Sequence, residues 1–216
     1  MKLEIKNLRK EFKNNVVLND VSLTLDGGKI YGFIGRNGSG KSVLLKIICG
    51  FYAPTSGSIT LNGKDYISSN EFPDDTRALI EKPKFLPDLT GYENLKLLAS
   101  VQNKIGANEI EKVLDELNIK QEANKRFSKY SLGTKQKFGI AQVLMEDPKM
   151  IILDEPFNGV ENETADRIRN LLKREKKKNK IIIIASHIKD DIYGLVDTIF
   201  EVDGGNIKEL KNDRGN

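Results

Sequence analysis

The chain has 216 residues, 38% of them hydrophobic, and a chain of this size buries roughly 70% of the surface it exposes when unfolded, which excludes disorder as its main state. Its 18 glycines and 6 prolines show no Gly-X-Y period, and no apolar run approaches the roughly 20 residues that span a bilayer. The lone Cys49 founds no disulfide or Cys-rich metal site; net charge is only +4, and the one basic block, residues 173–180, reads as a solvated helix end.

The opening is β-rich. Residues 3–6 alternate apolar and charged, leaving no continuous apolar stretch for a secretory signal, and residues 21–25 alternate again before a turn at Gly27 and Gly28. A strand over 30–34 runs into a Gly-rich loop, then into an apolar helix over 43–49 closed by Gly50. From about residue 93 to 145 the period becomes helical: Ile110, Val113, Leu114 and Leu117 share one face, with Asn108 predicted as cap and Glu111 as its capping-box partner. Residues 150–153 and 181–184 are short unbroken apolar runs, as strands covered on both faces require, and Ala165, Ile168, Leu171 and Leu172 form the core face of the helix between them. No repeat or long polar linker interrupts this order. The expectation is one α/β domain over 1–216: a mostly parallel core sheet, an N-terminal antiparallel β subdomain and a helical subdomain inserted at about 85–146.

Chemistry concentrates in three places. Gly35, Arg36, Asn37, Gly38, Ser39, Gly40, Lys41 and Ser42 satisfy G-x-x-x-x-G-K-[ST] directly after a predicted strand and before a predicted helix. Such a loop turns successive N–H groups and a helix N-terminus toward phosphate oxygens; Lys41 adds a point charge and Ser42 a hydroxyl for Mg²⁺. Asp154 and Glu155 close a buried strand, where open parallel sheets hold their ligands; Asp154 suits the metal and Glu155 the attacking water. His187, the only histidine, follows another core strand, a position from which it reaches a γ-phosphate.

In this order the motifs resemble the nucleotide-binding subunit of ATP-binding cassette transporters, a P-loop NTPase fold, over nearly the whole chain. Residues 35–42 match Walker A, 150–155 Walker B with the catalytic glutamate, 158–161 the D-loop and 185–187 the switch histidine, while 130–136 stand where the family carries its LSGGQ signature. The resemblance implies that Phe12 stacks on adenine, that Ser131 and Gly133 of a second copy close over the nucleotide in a head-to-tail dimer, and that ATP and Mg²⁺ are bound. It also implies a separate membrane permease, a cytoplasmic location against the inner face of the cell membrane, and no nucleic-acid partner. Leu132 for the first glycine and Thr134 for the glutamine of the signature, and Glu161 for the usual aspartate of the D-loop, depart from the family pattern, and Glu81 stands where the family has a glutamine that reaches Mg²⁺. A carboxylate there raises dependence on Mg²⁺ or needs a basic partner, and Lys82 is adjacent. Glu81 with residues 85–95 looks like the bacitracin-resistance and lantibiotic-immunity branch, which implies export of a peptide antibiotic. The competing class, a soluble ATPase of this superfamily acting on nucleic acid or ribosomes, usually carries two cassettes or a long coiled-coil insertion, and this chain has neither.

Overall fold

The computed structural model describes residues 1–210. β1 (Lys2–Phe12) pairs antiparallel with β2 (Asn15–Asp26) on one side and with β4 (Ser56–Leu61) on the other. The ladder is longer than the alternation in 3–6 and 21–25 announces. Lys13 and Asn14, both at positive φ, reverse the chain as a two-residue hairpin turn must, so β2 starts at once, and register shifts along β1 blur the period-2 pattern.

The second sheet has the order β5 (Thr76–Leu79), β6 (Met150–Asp154), β7 (Ile181–Ser186), β3 (Lys29–Ile34), β8 (Thr198–Asp203), β9 (Asn206–Leu210), with only β9 antiparallel to its neighbour. β6 and β7 are buried along their whole length, as their apolar runs predict. Their side chains divide by parity. Met150, Ile152, Ile181 and Ile183 meet Leu44, Leu45, Ile47 and Ile48 of α1 (Lys41–Ile48) beneath the antiparallel sheet. Ile151, Leu153, Ile182 and Ile184 face the opposite layer. That layer contains α2 (Gly91–Gln102), α3 (Ala107–Glu116), α4 (Leu132–Leu144) and α5 (Asn162–Lys176).

Two local expectations are corrected. α3 begins at Ala107, so Asn108 already lies inside it; its cap is Gly106, whose N–H donates to Glu109 Oε2 at 2.9 Å. The basic block is not all solvated. Lys180, 3% exposed, enters the fold just before β7, where its Nζ donates to Asp147 at 2.6 Å and to the buried Glu175. No helix among the described residues is long and apolar enough to cross a membrane.

Register positions the site. Ile34 lies opposite Ser186, Asp154 opposite Ala185, and Leu79 opposite Leu153, so the carboxyl ends of β3, β5, β6 and β7 finish at one edge of the sheet.

Removing the Lys180 amine takes away the buried cation beside Glu175 and leaves only the half-exposed Lys178, 2.9 Å from its Oε1, to balance it. Lys180→Ala is therefore expected to cost up to about 3–5 kcal/mol in urea denaturation, against at most about 1 kcal/mol for the more exposed Lys178→Ala. Equal costs would show that burial of the pair carries no weight.

Candidate active site

The Gly-rich loop leaves β3 and enters α1 through Gly40, at φ +108; a Cβ there would stand 2.9 Å from the Val17 carbonyl. Only glycine suits that corner. Lys41 folds back over the loop, its Nζ donating to the carbonyls of Gly35 at 2.7 Å and Arg36 at 3.1 Å. Burial lowers the Lys41 pKa, while the charges of Glu155 and Asp154 oppose that shift. Arg36, Asn37, Gly38 and Ser39 line a concavity of about 360 Å³ with Asn15, Val16 and Val17. The Ser39 hydroxyl is buried without a hydrogen-bond partner.

Ser42, in the first turn of α1, donates to Asp154 Oδ2 at 2.7 Å. Burial pushes the Asp154 carboxyl above the usual range; the Ser42 hydrogen bond opposes this and the Glu155 charge adds to it. Glu155 takes the left-handed conformation at φ +51, with its N–H donated to Ala185 O at 2.8 Å and its carbonyl receiving Gln136 Nε2 at 3.1 Å. Its carboxylate faces the residues after β7. Oε1 accepts the His187 N–H at 2.9 Å and lies 2.8 Å from His187 Nδ1, and Oε2 accepts the Ser186 hydroxyl at 3.2 Å. The histidine expected at a phosphate thus also grips the carboxylate expected at the water.

The Ser131 side chain caps α4, accepting the Thr134 N–H at 3.1 Å and sharing a hydrogen bond with Thr134 Oγ1 at 2.9 Å. Gly133 stands so close to the next loop that a Cβ would meet Gly159 O at 2.6 Å, and Leu132 packs over Gly159. Phe12 lies outside both cores, 39% exposed, edge-on to Tyr52 at 5.6 Å with Lys10 Nζ 4.6 Å above its ring.

Glu81, two residues past β5 and at φ +66, does have a basic partner, but it is not Lys82. Lys46 donates to Glu81 Oε1 at 2.5 Å, and this hydrogen bond holds the Glu81 carboxyl below its usual range. Lys46 lies one helical turn after Ser42 and shares its face of α1, which is the signal sequence reasoning passed over. Gln136 was missed too; it is the polar residue of α4 that stays buried, and its place in the signature run was the available clue.

Residues 18–158 match the family described as ABC transporter. The chain is 36% identical over 97% of its length to the bacitracin transport ATP-binding protein BcrA of Enterococcus faecalis, covering 69% of that protein. It is 33% identical to the lantibiotic transport ATP-binding protein SrtF of Streptococcus pyogenes, over 98% of this chain and 91% of the other. A solved structure described as the ATP-binding subunit of an ABC transporter superposes with a TM-score of 0.89 at 27% identity, covering 99% of this chain and 91% of its own.

A double-mutant cycle tests the partner of Glu81. Glu81→Gln and Lys46→Met are expected to couple by about 0.2–1 kcal/mol in urea unfolding, the range of exposed ion pairs, and Glu81→Gln with Lys82→Met not at all. Coupling to Lys82 instead would reverse the assignment.

Proposed function

We propose that this chain, which belongs to the ABC transporter family and is an ATP-binding and ATP-hydrolysing subunit, holds ATP on residues 35–42 and uses Glu155 as its general base. The observation that carries the reading is the convergence of the Gly-rich loop, Asp154, Glu155 and His187 on one sheet edge. Gly35, Arg36, Asn37, Gly38, Ser39 and Gly40 present backbone donors at the N-terminus of α1, and the partnerless Ser39 hydroxyl fits a loop built around a further polar group. Lys41, now on loop carbonyls, turns to the β- and γ-phosphates.

The donor set fits Mg²⁺. Ser42 and Asp154 offer a hydroxyl and one carboxylate in contact, the hard oxygen ligands that Mg²⁺ takes while keeping waters and phosphate oxygens for its other positions. A bound Mg²⁺ neutralises charge that develops on the phosphates. Glu81 borders this site through its charge on Asp154 and its bond to α1. Glu155, with both carboxylate oxygens anchored, orients and deprotonates the water, and His187 fixes Glu155 while reaching the γ-phosphate.

Ser131 and Gly133 rest on Thr134 and Gly159 of their own chain. They act in trans, over the nucleotide of a second, head-to-tail copy. Phe12, exposed at the end of β1, stacks on adenine. Helices within 85–146 form a subdomain of the single domain 1–216. Beside them, exposed Phe51 and Phe72 contact edge-on at 6.0 Å over a groove of about 510 Å³ that includes Arg77, Gln102 and Lys104, the face offered to a membrane permease. The subunit then sits on the cytoplasmic face of the cell membrane. The likeness to BcrA and SrtF, named for bacitracin and lantibiotic transport, supports export of a peptide antibiotic.

Glu155→Gln is expected to keep ATP binding, lower kcat by roughly 10²-fold or more, and accumulate a two-chain species with ATP in gel filtration. Near-normal turnover would remove Glu155 from the role. Phe12→Ala, which loses a stacking contact worth roughly 1–3 kcal/mol, is expected to weaken ATP binding by one to two decades at an unchanged melting temperature. A drop in melting temperature with normal binding would return Phe12 to a structural role.

A further inference from the structure

The Ser186 hydroxyl has more neighbours than its one hydrogen can serve if both adjacent carboxyls are ionised. It is fully buried at the end of β7, accepts the Ile188 N–H at 3.1 Å, and lies 3.2 Å from both Glu155 Oε2 and Asp191 Oδ2. A hydroxyl offers one hydrogen and two lone pairs. With two carboxylates present, one of those contacts would set lone pair against lone pair in a buried site, a costly arrangement. One proton on either carboxyl removes the conflict.

The surroundings decide which carboxyl carries it. Glu155 Oε1 already accepts the His187 backbone N–H at 2.9 Å and lies 2.8 Å from His187 Nδ1, so this carboxyl has hydrogen-bond partners besides Ser186. Asp191, in α6 (Lys189–Ile192), faces Ser186 and a more distant cation. Its charged neighbour, Arg169 of α5, stays 3.8 Å away, beyond a hydrogen bond; Arg169 Nη1 donates to Asp166 at 2.9 Å, and the guanidinium lies 4.7 Å from the Phe157 ring centroid. We propose that Asp191 is a positioning residue for ATP hydrolysis, protonated and donating to Ser186, so that the Ser186 hydrogen is committed to Glu155. The line then runs Asp191 Oδ2–H to Ser186 Oγ, and Ser186 Oγ–H to Glu155 Oε2, with every lone pair and hydrogen of the hydroxyl used. Burial raises the Asp191 carboxyl, as does the Glu155 charge, while the Ser186 hydrogen bond, Arg169 and His187 pull it down. The catalytic consequence rests on the general-base reading of Glu155; the proton on Asp191 does not.

Two measurements test this in the full chain. In carboxyl ¹³C NMR without nucleotide, with the resonance assigned by its loss in Asp191→Asn, Asp191 is expected to titrate well above the model-peptide value of about 3.9. A midpoint at or below that value overturns the proposal. In ATPase assays, Asp191→Ala is expected to lower kcat by about tenfold at unchanged KM, within the 10²-fold that misplacement of a reacting group costs. Asp191→Asn, whose amide donates the same hydrogen bond, recovers most of that loss. Wild-type kcat declines as pH rises through the NMR midpoint, because the donor is lost, and Asp191→Asn, having nothing to titrate there, lacks that decline. Asparagine behaving as alanine, or keeping the decline, also overturns the proposal. If Asp191→Ala fails to fold, the NMR midpoint and the asparagine pH profile still decide. Normal turnover of Glu155→Gln would sink the general-base reading alone, leaving the NMR midpoint to report on Asp191.

Discussion

Parallel register is the constraint on which the rest depends. Four strands from distant parts of the sequence must end together for a lysine at 41, a glutamate at 81, an aspartate at 154 and a histidine at 187 to gather at one edge, and the ladders β3·β7, β6·β7 and β5·β6 impose that gathering. Parallel strands hold register only when covered on both faces, and alternating side chains of β6 and β7 enter two separate cores. A one-residue slip would exchange the two faces of β6 and move Asp154 away from Ser42. The buried Lys180, with Asp147 and Glu175, stands at the entrance to β7, at the opposite end from Asp154. The same strands are therefore anchored at both ends, by apolar and ionic packing below and by polar contacts above.

The signature segment is packed against the loop that follows β6. Leu132 stands where a glycine is usual, and its side chain lies over Gly159, a position with no side chain of its own. Thr134 stands where a glutamine is usual and closes a short hydrogen bond with Ser131. Glu161, in place of the usual aspartate, is the cap residue of α5 and its carbonyl receives the Ala165 N–H. Gln136, on the same helix as the signature, reaches the carbonyl of Glu155. The first turn of α4, the loop 155–160 and the start of α5 are thus one packed unit. Gln136 thereby ties the helix of the signature to the backbone of the residue proposed as base.

Contiguous motifs were legible in the sequence and spatial partners were not. The phosphate loop, the β6 carboxylates and the fully buried strands follow from local spacing and unbroken apolar runs. β5, Thr-Arg-Ala-Leu, gives no comparable signal because it is short and carries a charge, yet it delivers Glu81 to the site. The start of α3 moved from Asn108 to Gly106 because Glu109 can cap the chain from inside the first turn, and a glycine leaves no side chain for a pattern to register. Lys46, Ser186 and Asp191 acquire their places only when α1, β7 and α6 come together. In each case the missing information was a tertiary contact between residues of ordinary identity.

The contact between Lys46 and Glu81 joins these themes. A glutamine at 81 would bring no charge to the metal side of the site; a glutamate brings a full one, and it raises the neighbouring Asp154 carboxyl further. Lys46 cancels much of that charge from a position one turn beyond Ser42. It also approaches the Tyr52 ring, 5.6 Å away, and Tyr52 in turn meets Phe12. One lysine therefore links the loop after β5, the α1 helix and the Tyr52–Phe12 pair, whose Phe12 is proposed to stack on adenine. Separating Glu81 from Lys46 would leave an uncancelled positive charge on the helix that carries Lys41 and Ser42. An amide at 81 would hold no such charge in balance, so the carboxylate ties the charge of this helix to the loop after β5 in a way that a glutamine could not.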